Sequence, residues 1–301
     1  MFELKNEKIA IPVVLFAGLL WSFGPLVVRY MDDPGSVPWQ YIFARGFTIF
    51  TVLNLYLFFE EGKNFYKNYF RVGLSGLIGG CGLGVAMITF IYSITNTTAA
   101  VTLLCLAAMP FFTALLGFLF LKERISFNVW IAIVIATIGI IIIAFGNTEK
   151  NSLIGLIFGM TSSIGFSVFS VTLRWRKETP KFTTVAIAGF VCVFIASIFI
   201  IINKGSFFST SYNGSLFSLH GTIVCMGLIL YSIGSKAIPA AELTLLSLTE
   251  VIGGIFWVWL PLFGINEIPS TNTIIGGFFL FMSIIYYSLT IKTNRRFIAL
   301  N

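Results

Sequence analysis

Two ionisable side chains interrupt otherwise apolar stretches, Arg45 in QYIFARGFTIF and Glu250 in LSLTEVIGGIFW. A charge inside a bilayer is costly, so an acid or base at such depth marks a cavity, an ion pair or a proton path. Counted from Pro239, Glu250 lies eleven residues into its stretch, about 16 Å at 1.5 Å per residue, near the middle of the hydrocarbon layer. Ser247, Gly254 and Trp257 lie at helical spacing from it and would add a hydroxyl, a gap and an aromatic wall to one binding face. The alternative is a glutamate tied to a neighbouring helix for packing. Arg45 is seven residues into its own stretch, about 10 Å deep. Its planar fork could receive a substrate carboxylate or pair with Glu250. It could equally anchor to loop carbonyls or headgroups. A proton and a cationic or zwitterionic substrate would compete for a carboxylate held away from water, which makes Glu250 the candidate proton-coupling residue.

Other residues could join them. Trp21, Ser22 and the Gly24-Pro25 step fall mid-stretch, where a kink frees a backbone carbonyl, and Pro110 beside Met109 does the same in the fourth stretch. Ser162, Ser163 and Gly165 occupy the position of Trp21 to Gly24 in the second half of the chain. The expected substrate-binding set is Trp21, Arg45, Met109, Ser163, Glu250 and Trp257. Tyr92 and Tyr231 end their stretches near opposite interfaces and read as belt residues. His220, the single histidine, sits near the outer end of its stretch and is poor evidence for a metal. Cys81, Cys105, Cys192 and Cys225 are far apart in apolar runs, so neither a metal site nor a disulfide framework is expected.

The elements that must carry these residues are membrane helices. The chain has 301 residues, of which 57% are hydrophobic and only 10% charged, unlike any soluble surface. Ten runs reach the roughly 20 residues needed to cross the hydrocarbon layer: 10–30, 38–59, 72–92, 98–121, 127–145, 152–173, 182–202, 218–235, 239–263 and 271–291. The longest connection is the Ser/Asn/Gly stretch 203–217. Continuous runs without ten-residue alternation predict helices, not a barrel. Fifteen of the nineteen Lys and Arg lie on the alternate ends that begin with the N-terminus, which predicts both termini cytoplasmic. The net charge of +7 is spread over these short loops, where it serves orientation and anionic headgroups and not nucleic acid. Lys5 and Lys8 precede an apolar run that continues to Tyr30 without a small-x-small cleavage site, so a retained first helix is expected over a signal peptide.

The chain also repeats itself. Residues 95–126 and 235–270 share a small-residue entry, a midpoint that is not aliphatic (Pro110; Glu250), a bulky exit and a glutamate (Glu123; Glu267), and each follows Tyr-Ser-Ile. Five helices per half is an odd number, so units 1–146 and 147–301 would insert upside down relative to each other. Loop charges agree: the connection after the first helix is acidic in one half (Asp32, Asp33) and basic in the other (Arg174, Arg176, Lys177). Gly76, Gly80 and Gly84 at four-residue spacing predict close approach of a neighbouring helix.

Trp21-Ser22-Phe23-Gly24, Phe43-Ala44-Arg45, Ala108-Met109-Pro110 through Arg124, Leu248-Thr249-Glu250, Trp257-Val258-Trp259 and Asn266-Glu267-Ile268-Pro269 together resemble the drug/metabolite transporter superfamily in its ten-helix form with two EamA-type repeats. The resemblance covers the whole chain. It implies an all-α membrane carrier for small metabolites working by alternating access, with amino acids or related amines as substrates and export as the direction. Glu250 standing where the first half has Pro110 departs from strict two-fold equivalence. No phosphate-cradling Gly-rich loop is present, so ATP-driven transport by this chain alone is excluded. The competing readings are a membrane-embedded transferase, which lacks a convergent cluster of acids, bases or ligands, and a channel. No cofactor is expected. The oligomeric state is left open, and the Phe, Ile, Asn and Lys content suggests a bacterial inner membrane.

Overall fold

The computed structural model describes residues 6–122, 127–146, 150–176, 178–238 and 240–299. Lys5, Glu123, Arg124, Lys177 and Pro239, all used above, lie outside the described residues. The described chain is helical: α1 (Glu7–Ser22), α2 (Gly24–Arg29), α3 (Pro38–Glu61), α4 (Lys67–Arg71), α5 (Gly73–Asn96), α6 (Ala99–Leu106), α7 (Met109–Leu121), α8 (Phe127–Gly146), α9 (Lys150–Trp175), α10 (Lys181–Ile202), α11 (Ser211–Gly234), α12 (Ala240–Leu246), α13 (Thr249–Trp259) and α14 (Thr271–Ala299). Eight helical stretches are long and apolar enough to cross a membrane. They are α1–α2, α3, α5, α6–α7, α9, α10, α11 and α12–α13. Helices α8 and α14 add shorter apolar segments, Trp130–Ile143 and Thr271–Tyr286. All ten expected stretches are thus helical.

One boundary differs in a way that matters. The stretch expected to begin at Ser218 begins at Ser211, because the Thr210 hydroxyl caps the helix by accepting from the Asn213 N–H. Polar Ser211 to Ser215 therefore form the first turn of the helix and the start of the second, not a loop, and residues further along lie deeper than hydropathy suggests.

Three crossings are broken near their middles, two at a proline and one without. In the first, Pro25 lacks an N–H and the Ser22 hydroxyl donates to the Leu19 carbonyl, and α1 gives way to α2 at Phe23. In the fourth, Pro110 is the second residue of α7 and the ladder to α6 lapses at Ala107 and Ala108. In the ninth there is no proline at the break. There the Ser247 hydroxyl donates to Thr244, Thr249 donates to Leu246 and to Leu15 across the interface, and the Glu250 N–H bonds back only to Ser247. Glu250 becomes the second residue of α13, the same rank that Pro110 holds in α7. Helix α9 runs unbroken through Ser162, Ser163 and Gly165, having no proline there.

Helix pairing is preserved when the first five crossings are exchanged for the last five. Helix α5 packs on α9 as α11 packs on α1; α5 packs on α10 as α11 packs on α3; α6–α7 pack on α9 as α12–α13 pack on α1. The remaining large contacts, α3 with α10 and α8 with α14, are between counterparts. Each of these two meets at facing glycines: a methyl at Gly46 would lie 2.9 Å from the Gly189 carbonyl oxygen and one at Gly139 2.6 Å from that of Gly276, with the reverse contacts equally close. Gly76, Gly80 and Gly84 do face a neighbour, namely Thr184, Ile187 and Val191 of α10.

The α5–α9 crossing is as tight, since a methyl at Gly165 would sit 2.6 Å from the Gly82 oxygen and 3.0 Å from the Ala86 nitrogen. Backbone cannot yield as a side chain can. Gly165→Ala is expected to force the two helices apart at a cost of roughly 1–3 kcal/mol, read as a lower unfolding temperature in detergent; an unchanged value would show that the crossing is looser than described.

Candidate functional site

A cavity lies where the broken crossings meet α3, α5, α9 and α11. Its wall includes Trp21, Arg45, Met109 and Glu250 from the expected set, together with Phe90, Ser162, Phe166 and His220. Its volume, about 50 Å³ counted at positions open to a water centre, is that of a few waters.

Arg45 is 5% exposed. Its guanidinium carbon stands 5.6 Å from the centroid of Phe90, a cation–π contact, and Nη1 donates to the Met87 carbonyl at 3.4 Å. Its Nε–H is buried and has no acceptor among the described residues. No ion pair joins Arg45 to Glu250 among the described residues, whereas Arg29 and Glu267 do form one, at 2.7 Å. The guanidinium and the carboxyl group thus face one cavity without touching each other. Anchoring of Arg45 to headgroups does not fit its burial.

Trp21 is fixed by Nε1 donating to the Val224 carbonyl at 3.2 Å and by an edge contact with Phe166 at 5.7 Å. Small Gly227 makes room for its indole on α11, where a methyl would lie 2.0 Å from Nε1. Met109 is held from α9, since the Ser167 hydroxyl donates to its carbonyl at 3.0 Å.

Two expected residues lie outside the cavity wall. Ser163 is fully buried with its hydroxyl unpartnered, and its neighbour Ser162 takes the place at the cavity, donating to the Ala86 carbonyl at 2.8 Å. Trp257 turns to α1–α2, donating to the Ser22 hydroxyl at 3.0 Å and stacking on Phe23 at 5.1 Å. Trp257 follows Glu250 by seven residues on the same helix α13, about 10 Å along its axis, and its ring meets Ser22 and Phe23 beyond the cavity wall; the break at Ser247 and Leu248 parts only Ser247 from that face. Tyr231 is also displaced from its expected interfacial place. It is wholly buried, bonds Ser170 through its hydroxyl at 2.7 Å and packs against Trp21 and Phe169.

His220 is the residue that sequence reading passed over. Nine residues into α11, about 14 Å at 1.5 Å per residue, it is buried, shares a hydrogen bond between Nδ1 and the Tyr41 hydroxyl, and lines the cavity. Recognising Thr210 as a helix cap would have found it. Cys105, Cys192 and Cys225 are buried free thiols, while Cys81 is exposed. Among the described residues no group of three His, Cys, Asp or Glu side chains is placed to hold a metal.

At one end of the bundle a second polar cluster ties the crossings together. Arg29 donates from Nε to Glu267 and from its two terminal nitrogens to the Ile94 and Thr97 carbonyls at 3.0 and 3.1 Å. The other Glu267 oxygen accepts from the Ala99 N–H, the first residue of α6, at 2.5 Å. The Tyr30 hydroxyl adds a bond to the Phe263 carbonyl, also at 2.5 Å.

Residues 8–145 match the EamA-like transporter family. A Helicobacter pylori (strain J99) protein named "Uncharacterized transporter" is 28% identical over 175 residues, 56% of each chain. The match thus spans little more than half the length of that relative. A Bacillus subtilis (strain 168) protein named "Uncharacterized transporter YdfC" is 28% identical over 233 residues, 72% of each chain. A solved crystal structure superposes on the chain with TM-score 0.64 at 18% identity, covering 93% of this chain and 96% of that one, which establishes a shared fold.

Proposed function

With residues 8–145 identified as an EamA-like transporter unit, we propose that the chain is a secondary membrane carrier built from two inverted five-helix units, 1–146 and 147–301. The carrying observation is a cavity to which both halves contribute, with Arg45 of the first and Glu250 of the second facing it unpaired with each other. The symmetric helix pairing and the equal rank of Pro110 and Glu250 support the duplication.

The substrate is a compact zwitterion, an amino acid or related amine, held with its carboxylate toward Arg45, its ammonium toward Glu250 and its body against Trp21, Met109 and Phe166. The loop charges support cytoplasmic termini, the Phe, Ile, Asn and Lys content supports a bacterial inner membrane, and a coupling role for Glu250 under an inward proton gradient supports export. At the outer face a proton displaces the substrate's ammonium from the carboxylate; at the inner face substrate displaces the proton.

Counterflow in proteoliposomes tests this. Vesicles loaded with an unlabelled amino acid are expected to take up the labelled compound faster than empty ones. Equal uptake would point to a channel, and chemical turnover of the compound by protein in detergent would point to a transferase.

A further inference from the structure

We propose that a second cavity, between α7, α8 and α9, is a binding site for one acyl chain of an anionic membrane phospholipid whose headgroup lies at the Lys122 end. Its wall includes Ala108 and Phe112 beside the break in the fourth crossing, Trp130, Thr137 and Ile141 of α8, and Met160 of α9. Its volume is about 190 Å³ at positions open to a water centre, against about 50 Å³ for the central cavity. The gap exists because α8 presses Gly139 against Gly276 of α14 and leans only lightly on α7.

The chemistry of the wall selects the occupant. Buried water needs two to four polar partners, and the only hydroxyl among the described lining residues, that of Thr137, already donates to the Ile133 carbonyl of its own helix at 2.8 Å. Left empty, the space would forfeit packing on every side. Hydrocarbon is the apolar fluid at this depth, and it has a way in. Trp130, Val134, Ile138, Ile141 and Phe145 form the exposed, lipid-facing stripe of α8, and Trp130 and Ile141 belong to both the stripe and the cavity.

Its length fits a single chain. Trp130 and Ile141 are eleven residues apart, about 16 Å at 1.5 Å per residue, close to the half of the roughly 30 Å hydrocarbon layer that one leaflet fills. Polar groups gather at the Trp130 end, where the Tyr286 hydroxyl donates to Asn128 at 3.3 Å and exposed Lys122 closes α7 in a left-handed conformation. Lys122 thus offers a cation to a phosphate where the chain leaves the cavity. The bound chain also backs the central cavity. Ala108 and Phe112 flank Met109 in sequence, and Met160 is two residues from Ser162 on the opposite side of α9, so the two cavities share a wall.

The test uses the full chain in dioleoylphosphatidylcholine vesicles with a minor fraction of phosphatidylglycerol that carries a diazirine midway along one acyl chain. Irradiation and mass spectrometry then map the labelled residues. Ile157 and Ile164, 64% and 43% exposed on either side of Met160, report ordinary lipid contact. Label at Met160 should saturate with the probe despite the excess of choline lipid, while label at Ile157 and Ile164 rises in proportion. Thr137→Phe, which fills the cavity from α8, should lose the Met160 label and keep the other two. If that variant fails to fold, phosphatidylglycerol without a diazirine should still displace the wild-type label from Met160 well before Ile157. In detergent, added phosphatidylglycerol should raise the unfolding temperature of the wild type and leave that of Thr137→Phe unmoved.

A Met160 label that merely rises in step with its neighbours, or survives in Thr137→Phe, overturns the proposal. An equal rise in unfolding temperature for both proteins places the lipid elsewhere and overturns it too. Loss of the Met160 label as protein density in the vesicles increases gives the cavity to a second copy of the chain, with the same consequence. None of these readouts depends on a transported solute, so the site stands or falls apart from the carrier reading.

Discussion

Replacing Glu250 with Gln is expected to abolish accumulation of substrate against its gradient while leaving exchange between equal pools intact. The amide keeps the size and a hydrogen-bonding oxygen but binds no proton and carries no charge. Coupling needs a group on which proton and substrate exclude each other. Glu250 is the acid in the cavity, and no described cation neutralises it by contact. Facilitated exchange needs only a site visible from each side in turn, so downhill counterflow survives with weakened affinity. The assay is uptake into proteoliposomes with and without an imposed pH difference. Should the variant still accumulate substrate with unchanged pH dependence, Glu250 is a fixed hydrogen-bonding group and the proton-driven reading falls.

Glu267→Gln should have the next largest effect, on stability and on access together. One carboxylate oxygen holds Arg29 and the other holds the Ala99 N–H, joining the exit of α13 to the end of α2 and the start of α6. Neutralising it leaves Arg29 on two carbonyls alone. The pair is about one-fifth exposed, at 22% and 18%. Losing it should therefore cost less than a fully buried pair, roughly 1–3 kcal/mol. If this end of the bundle opens during transport, the variant should also label faster at Thr97→Cys with a membrane-impermeant maleimide. Unchanged labelling with a lowered unfolding temperature would make the cluster a structural clamp only.

Hydropathy made the fold legible because bilayer thickness sets one length scale, and eight of the ten apolar runs meet it as described helices. It misjudged places where polar side chains serve the backbone. Ser211 to Ser215 look like loop and are helix, so His220 was placed near a surface it does not touch. Ser247 and Thr249 look like ordinary helix interior and end one helix before another begins, which parts Ser247 from Glu250; Trp257 shares α13 with Glu250 but stands two turns along it, where spacing alone does not say which neighbour its ring meets. Arg45 and Glu250 stood out because charge in an apolar run is visible without any knowledge of packing. Ser163 and Tyr231 could not be placed in the same way, since a hydroxyl on a helix carries no signal of which neighbour it will meet.

The three interrupted crossings also differ in whether they can heal. Pro25 and Pro110 remove an N–H permanently, and no rotation restores the missing rung of the ladder. At the gap between α12 and α13 no proline intervenes; the hydroxyls of Ser247 and Thr249 occupy the carbonyls of Thr244 and Leu246, and such hydroxyls can rotate away and return those carbonyls to backbone donors. A straightened ninth crossing would swing Glu250 about the helix axis, while Pro110 stays where it is. Of two counterpart elements, one is a fixed elbow and the other a spring catch, so the cycle's moving part would be the one that carries the acid.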